Sequence, residues 1–555
     1  MNLAASATPL PCPKGGKVFQ ASGRGTLWIQ WTTPGPEWRR LLEIVQRLPQ
    51  RKYDPALKLW TVPDTTETRG KLLSHGFQVL GGPTSIGMPS LPAKRELAPW
   101  TPPWKGVKLP DLPWLDKLRE YQREALQMLV HRKGRGALFL EMGTGKTATS
   151  LSWIRMNPDI ERVVVIATAS TKTQWIREAR KWGVDLPFWV LSGRKAHRLP
   201  KRGAVVINYD ILDAWVDVLL SWDPQTVLAD EVQAVGNPKA KRSKAFAAIA
   251  KDRGLIPMSG TPARTCPAQL FTVLNALDPV TFKDHWRYLH KYCDPKTDGF
   301  GTTFKGSTNA EELHEKIRPL GIRYTKLEVL KDLPDRVYNP VLMDCEVSKE
   351  YQDAQDKILS LQGHSPGQLR ERLSALTASA FELKKESVLE WISEFLETGN
   401  KLVVFGWHVA VLDYLEAHLG KQCVRVSGGV SKDARERAVQ RFVNDNRCKV
   451  FLGNIQAAGV GIDGLQEVCS DVAFVELCWS PADLDQSESR LHRLGQKSSV
   501  TVHYLLAAGT IDTVMAATLE KRKNALRLVV DGKTEPNEDE SIVGMIRNLQ
   551  REESR

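Results

Sequence analysis

Three short stretches of this 555-residue chain place reactive side chains at spacings suited to phosphate chemistry. The first is GALFLEMGTGKTATS (136–150): an apolar run, a glycine-bearing turn, then Lys-Thr opening a helix. Such a turn aims successive backbone N–H groups at phosphate oxygens and adds the positive end of a helix. Gly143, Thr144 and Gly145 make the turn, Lys146 reaches for β- and γ-phosphates, and the Thr147 hydroxyl helps to hold Mg²⁺. The strict G-x-x-x-x-G-K-[ST] pattern wants glycine where this chain has Leu140, so Gly143 and Gly145 must supply the flexibility.

The second stretch, TVLADEVQAVGNP (226–238), puts two adjacent carboxylates at the end of an apolar strand. In an open α/β sheet, ligands gather at that edge. Asp230 is placed to hold the Mg²⁺, and Glu231 to orient and deprotonate an attacking water. The third, QSESRLHRLGQ (486–496), has Arg490 and Arg493 three apart on what reads as one helix, and so on one face. Far in sequence from Lys146, they suit a cleft between two domains, where an arginine stabilises transition-state charge.

These groups need sheets to hold them. VVVIAT (163–168), AVVIN (204–208) and TVLAD (226–230) read as buried parallel strands. A second series runs through KLVVF (401–405), KVFLGN (449–454), VAFVEL (472–477) and VTVHYL (500–505). Between them, residues 280–395 read as mostly helical and charged. Upstream, residues 26–80 follow a β-α-β-β-α-β order: a strand at 25–32, helices over 36–48 and 67–75, a hairpin at RKYDPALKLWTVP (51–63) and a strand at 77–80. Eight prolines within residues 81–113 mark a stiff linker. The expected class is α/β: a basic N-terminal α+β domain over 1–95 with a linker to about 114, one parallel-sheet lobe over 115–280, helical insertions over 281–395, a second lobe over 396–530, and a polar tail over 531–555.

Composition narrows the classes. With 25% charged and 42% hydrophobic residues the chain is globular, not disordered. Its eight cysteines contain no C-x-x-C pair, which argues against zinc ribbons and a disulfide framework and fits a reducing cytoplasm. The first residues lack the pattern of a secretory signal, and no apolar run approaches the ~18 residues of a membrane span. The net charge is +13, of which residues 1–117 carry +8 (16 Lys/Arg against 8 Asp/Glu). Such an excess favours a polyanion partner.

In order and spacing, LREYQREAL (118–126), EMGTGKT, DEVQ, MSGTPA (258–263), KLVVFGW (401–407), NIQAAGVGID (454–463) and the arginine motif resemble superfamily 2 helicases. ELCWSPADLDQSESRLHRLGQ and HYLLAAGTID resemble the Swi/Snf-type DNA translocase branch, and the resemblance spans roughly residues 115–525. It implies two RecA-like lobes, ATP and Mg²⁺, and double-stranded DNA as partner. It implies Gln122 on the adenine, Ser259 and Thr261 coupling hydrolysis to DNA movement, and Gln456, Gly459, Gly461 and Gln486 on the interlobe motor face. Asp463 stands where that branch usually has asparagine. No nuclease or chromatin-reading motif is recognisable, so the reading is of a compact, monomeric prokaryotic or phage motor.

The N-terminal region, RKYDPALKLWTVP above all, is similar to the HepA-related accessory domain of annealing helicases, which implies branched DNA such as stalled forks. Arg51, Lys52 and Lys58 are then candidates for phosphates at a junction. Tyr53 and Trp60 either stack on an exposed base or build the small domain's core. KAKRSK (239–244) and KLEVLKDLPDR (326–336) read equally as DNA-facing or as solvated helix. The leading expectation is an ATP-driven duplex translocase; the alternatives are a strand-separating helicase, a passive DNA-binding scaffold and a small-molecule P-loop enzyme.

Overall fold

The computed structural model describes residues 100–298, 301–360, 366–458, 462–533 and 545–546. Within the first 99 residues it describes 17–21, 26–31, 41–42, 44–45, 48, 51–54, 59–63, 65, 68–69, 71–72 and 77–79. The chain forms two compact units, Met1–Ala98 and Pro99–Arg555.

In the first unit a five-stranded sheet runs in the order Lys52–Asp54, Leu59–Pro63, Thr26–Trp31, Lys17–Ala21, Gln78–Val79. The hairpin read in the sequence is present, with Tyr53 opposite Trp60. The strand Lys17–Ala21 was not anticipated, although it pairs with both Thr26–Trp31 and Gln78–Val79. Phe19, Leu27, Ile29, Leu41, Val45 and Val62 make the core.

The second unit holds two parallel sheets. The runs RVVVIA, GAVVIN and TVLA are apolar almost throughout because helices cover both faces of such a sheet. They align in the order Gly254–Pro257, Thr226–Ala229, Arg162–Ala167, Gly203–Asn208, Phe188–Val190. The strand Ala137–Leu140, which leads into the phosphate turn, joins Gly254–Pro257 through bridges at Arg135–Leu255 and Leu138–Met258. On its other side it pairs with Gly321–Tyr324. The second sheet runs Arg336–Met343, Val500–Ala507, Asp471–Phe474, Leu402–Gly406, Val450–Asn454, Cys423–Val426, all parallel. The chain is thus an α/β protein with two RecA-like lobes.

Two expectations are refined. Among the helices of residues 281–395 lie strands as well: Gly321–Tyr324 completes the first sheet and Arg336–Met343 edges the second, with a hairpin at Pro295–Asp298 and Gly301–Phe304. The described part of the proline-rich stretch is packed rather than a free spacer. Trp104 is 1% exposed in the first lobe's core, meets Trp100 edge-on at 5.5 Å and donates from Nε1 to Glu124 Oε1 at 3.4 Å. The long helix Ile511–Asp531 serves both lobes. It starts against the second, and its Leu526, Val529 and Val530 enter the first lobe's core, where Arg323 pairs with Asp531 at 2.6 Å.

A buried ion pair fixes the second lobe. Lys384, on the helix Pro366–Glu397, donates to Asp512 Oδ2 at 2.6 Å and to Leu505 O at 2.5 Å, and both charged side chains are 1% exposed. Lys384→Met strands that carboxylate in the core, which costs about 3–5 kcal/mol. Calorimetry should find the second lobe's melting temperature lowered by roughly 10 °C. A melt within about 2 °C of wild type would refute the assignment.

Candidate active site

The strands Ala137–Leu140, Gly254–Pro257 and Thr226–Ala229 are successive neighbours, so EMGTGKT, MSGTPA and DEVQ leave the same carboxyl edge. Side chains distant in sequence converge there because the sheet is parallel. Gly143 at φ +82° and Gly145 at φ +86° take the left-handed backbone that the turn into the helix Lys146–Met156 requires. A Cβ on Gly145 would sit 2.2 Å from Gln122 Nε2. Gln122 therefore lies under the turn: its Nε2 donates to Thr144 O at 3.2 Å and its Oε1 accepts from Arg119 N at 2.9 Å. Tyr121 Oη donates to the same Thr144 carbonyl at 2.7 Å, a support that sequence reasoning missed. Lys146 is buried, with Nζ donating to Leu140 O at 2.9 Å and Glu141 O at 3.3 Å. Burial lowers its pKa, against the pull of Glu231 and Asp230.

Asp230 and Glu231 follow the strand Thr226–Ala229, and Glu231 adopts φ +50°, a left-handed backbone that ends the extended run there. Burial, then the neighbouring Glu231 charge, push the Asp230 carboxyl up to about 7, while Lys146 and a hydrogen bond from Trp175 oppose the rise. Two crowded carboxylates against a single buried ammonium make a hard, oxygen-rich site, and the half-buried Thr147 hydroxyl lies in the first turn of the adjoining helix. That donor set fits Mg²⁺ better than a softer cation. From Glu231 a chain of hydrogen bonds leads along the edge. Gln233 Nε2 donates to Glu231 Oε2 at 2.5 Å, Ser259 Oγ donates to Gln233 Oε1 at 2.7 Å, and Thr261 N donates to Ser259 Oγ at 3.0 Å. Gln233 was unassigned by sequence reasoning, although the DEVQ spacing carried it.

The second lobe supplies the arginines, but not from a helix. The helix Pro481–Glu488 ends before them, and Arg490 N and Leu491 N bond three residues back, to Ser487 O and Glu488 O. Arg490 is 8% exposed, donates from Nη1 to Ile462 O at 3.1 Å, and has a buried Nε without a partner. Burial, then Arg493, lower its pKa to about 10, and the charge of Glu231 acts in the opposite sense. Arg493 lies across the cleft: its Cβ is 3.9 Å from the position a Cβ on Gly143 would take, and its Nη1 meets Asp463 Oδ1 at 2.9 Å.

Lys326 joins the two halves. It is 1% exposed, with Nζ donating to Ser489 Oγ at 2.9 Å and His492 O at 2.6 Å, 3.9 Å from Glu141 Oε1. Its own backbone N donates to Glu141 Oε2 at 2.8 Å. Nothing in KLEVLKDLPDR flags this burial.

The remaining candidates lie elsewhere. Gln486 is buried in the helix Pro481–Glu488, Gln456 is exposed, and Gly459 and Gly461 lie outside the described residues. Lys239, Lys241, Arg242 and Lys244 form an exposed face at the start of the helix Lys241–Ala250. In the first unit Arg51 is exposed with Nη1 on Leu48 O at 3.4 Å, and Lys52 lies in a strand. Trp60 packs part-buried against the core, while Lys58 and the Tyr53 side chain lie outside the described residues. Among the described residues no helix is long and apolar enough to cross a membrane.

The SNF2-related domain family matches residues 121–394, and the helicase conserved C-terminal domain family matches 384–495. The mouse protein named DNA annealing helicase and endonuclease ZRANB3 is 29% identical over 442 residues, 76% of this chain and 41% of that protein. A Caenorhabditis elegans homolog of SWI/SNF-related matrix-associated actin-dependent regulator of chromatin subfamily A-like protein 1 is 28% identical over 519 residues, 88% of this chain and 72% of its own length. The chain thus spans about two fifths of the mouse relative. Among solved structures, the Sulfolobus solfataricus SWI2/SNF2 ATPase core in complex with dsDNA aligns over 79% of this chain and 96% of that one, at 23% identity and a TM-score of 0.37. The fold rests on the strand orders above rather than on that superposition. By its two matches, which run without a break from the phosphate turn through the arginine pair, the chain carries an SNF2-related domain followed by a helicase conserved C-terminal domain.

Proposed function

We propose that this protein is a DNA-dependent ATPase that translocates on double-stranded DNA and acts at branched DNA by fork regression, branch migration or strand annealing. The observation that carries the reading is Arg493 of the second lobe standing over Gly143 in the phosphate turn of the first. Hydrolysis in such a cleft depends on lobe closure, the elementary requirement of a motor.

Gly143, Thr144 and Gly145 present the turn to the phosphates, and Lys146 exchanges its loop carbonyls for β- and γ-phosphate oxygens. Thr147 and Asp230 hold Mg²⁺, which neutralises charge on the phosphates. Glu231 orients a water and takes its proton as the water oxygen bonds to the γ-phosphorus and the bridge to the β-phosphate breaks. Arg490 and Arg493 stabilise the charge that develops. Gln122, bonded to Thr144 O, steadies the turn whether or not it also meets the adenine. The Gln233–Ser259–Thr261 chain is the route by which the state of Glu231 reaches the motif assigned to DNA movement.

The basic first unit is the substrate selector, through Arg51, Lys52 and Lys58. The relatives named as annealing helicases support this choice of DNA. ATP turnover measured on duplex, single-stranded, forked and four-way DNA tests both levels. Branched DNA should stimulate most, and Arg51→Glu with Lys52→Glu and Lys58→Glu should erase that preference while sparing duplex stimulation. Turnover indifferent to all DNA sinks the motor; an unchanged preference in the triple variant sinks the selector.

A further inference from the structure

Two consecutive residues of the second lobe grip both arginines. Ile462 O accepts from Arg490 Nη1 at 3.1 Å, and Asp463 Oδ1 pairs with Arg493 Nη1 at 2.9 Å. The grips differ in kind. The first is the buried backbone carbonyl of Ile462, a residue 1% exposed, holding an arginine that is itself 8% exposed. The second is an ion pair at the surface, with side chains 68% exposed for Asp463 and 26% for Arg493.

Position adds to this. The Arg493 Cβ lies 3.9 Å from where a Cβ on Gly143 would be, and Gly143 is exposed in the turn that receives phosphate. From that root the long Arg493 side chain can turn either to Asp463 or to a phosphate over the turn. It cannot bind both with its full set of donors. A solvent-screened carboxylate is the weaker partner. A nucleotide's terminal phosphate, enclosed between the lobes, is the stronger one and accepts a guanidinium bidentately.

We propose that Asp463 competes with the terminal phosphate of bound nucleotide for Arg493, and so restrains hydrolysis until lobe closure transfers the guanidinium. Asp463 is a positioning residue in this scheme, since it touches the arginine and not the substrate. The carboxylate is essential to it: asparagine keeps the shape and one acceptor oxygen but loses the charge that holds the guanidinium. Ile462 keeps Arg490 in place throughout, because its carbonyl is buried and carries no net charge to be displaced.

The inference rests on the placing of Arg493 under the proposed function, so its test separates the two. Full-length wild type, Asp463→Asn, Arg493→Ala and the double variant are compared for affinity towards a non-hydrolysable ATP analogue and for ATP turnover with and without duplex DNA. Asp463→Asn should tighten the analogue about fivefold, the factor an exposed pair can supply. It should raise DNA-free turnover by a similar factor and lower KM more than it changes kcat at saturating DNA. Both effects should vanish in the Arg493→Ala background.

Wild-type affinity and DNA-free turnover in Asp463→Asn overturn the proposal. So does weakened binding with lost turnover, which makes Asp463 a residue that aims the arginine at phosphate. Effects that persist without Arg493 overturn it as well, since they act through something else. If Arg493→Ala alone is silent in every readout, the arginine assignment itself fails, and that result is distinct from the others.

Discussion

Glu231→Gln should abolish turnover, by roughly 10²–10⁴-fold, while nucleotide still binds. The substitution is unusually clean here because of what Glu231 touches. Its Oε2 accepts from Gln233 Nε2 at 2.5 Å, and a glutamine carbonyl oxygen can accept the same hydrogen bond. The link onward to Ser259 Oγ and Thr261 N survives, as does the left-handed turn that carries residue 231. Only the proton acceptor is lost. Rapid-quench measurement of the first turnover, beside equilibrium binding of a fluorescent ATP analogue, isolates the chemical step. Gln233→Ala supplies the contrast: it keeps the carboxylate but cuts the chain, so DNA stimulation should fall about tenfold with less effect on DNA-free turnover. Glu231→Gln retaining more than about a tenth of wild-type turnover would remove Glu231 as the base.

The phosphate turn and the acidic pair are legible from sequence because each is contiguous and each needs specific residue types. Gly143, Gly145 and Lys146 follow one strand, Asp230 and Glu231 end another, and the alternation of strands with helices brings both to one edge. The arginines are legible as types but not in conformation. RLHRLG has helical spacing, yet the chain turns after Glu488 because tertiary partners claim it: Lys326 takes the His492 carbonyl and Pro334 O accepts from the imidazole Nε2 at 2.9 Å. The proline-rich stretch misled in the opposite direction. Its prolines point to a stiff linker, and in the described part Trp100 and Trp104, which bury large apolar area, pack it onto the first lobe instead. The strand Lys17–Ala21 is five residues with too little alternation to stand out, and it is ordered by neighbours on both sides.

Lys326 is the sharpest case, because a lysine in a charged stretch reads as solvated and only the fold reveals otherwise. Its ammonium is 1% exposed, and burial lowers its pKa to about 8 against the pull of Glu141. A buried charge persists only when it is paired and hydrogen-bonded, and every partner of Lys326 Nζ lies at the cleft. On one side is Glu141, the residue that opens the phosphate turn; on the other are Ser489 and the His492 carbonyl, which bracket Arg490. Lys326 therefore sets the distance between the phosphate turn and the arginines. Lys326→Met keeps much of the apolar stem and removes the three donors. Freed by even 1 Å, the arginine turn should lose about 10²-fold in kcat. Binding should change little, because the turn, Lys146 and Thr147 remain as they are. Stopped-flow turnover and analogue affinity measure those two quantities, and fluorescent labels on the two lobes should report a broadened separation. Wild-type kcat in Lys326→Met would refute this role. So would a loss of kcat matched by an equal loss of folded protein in the melt, since the ammonium would then act on stability alone.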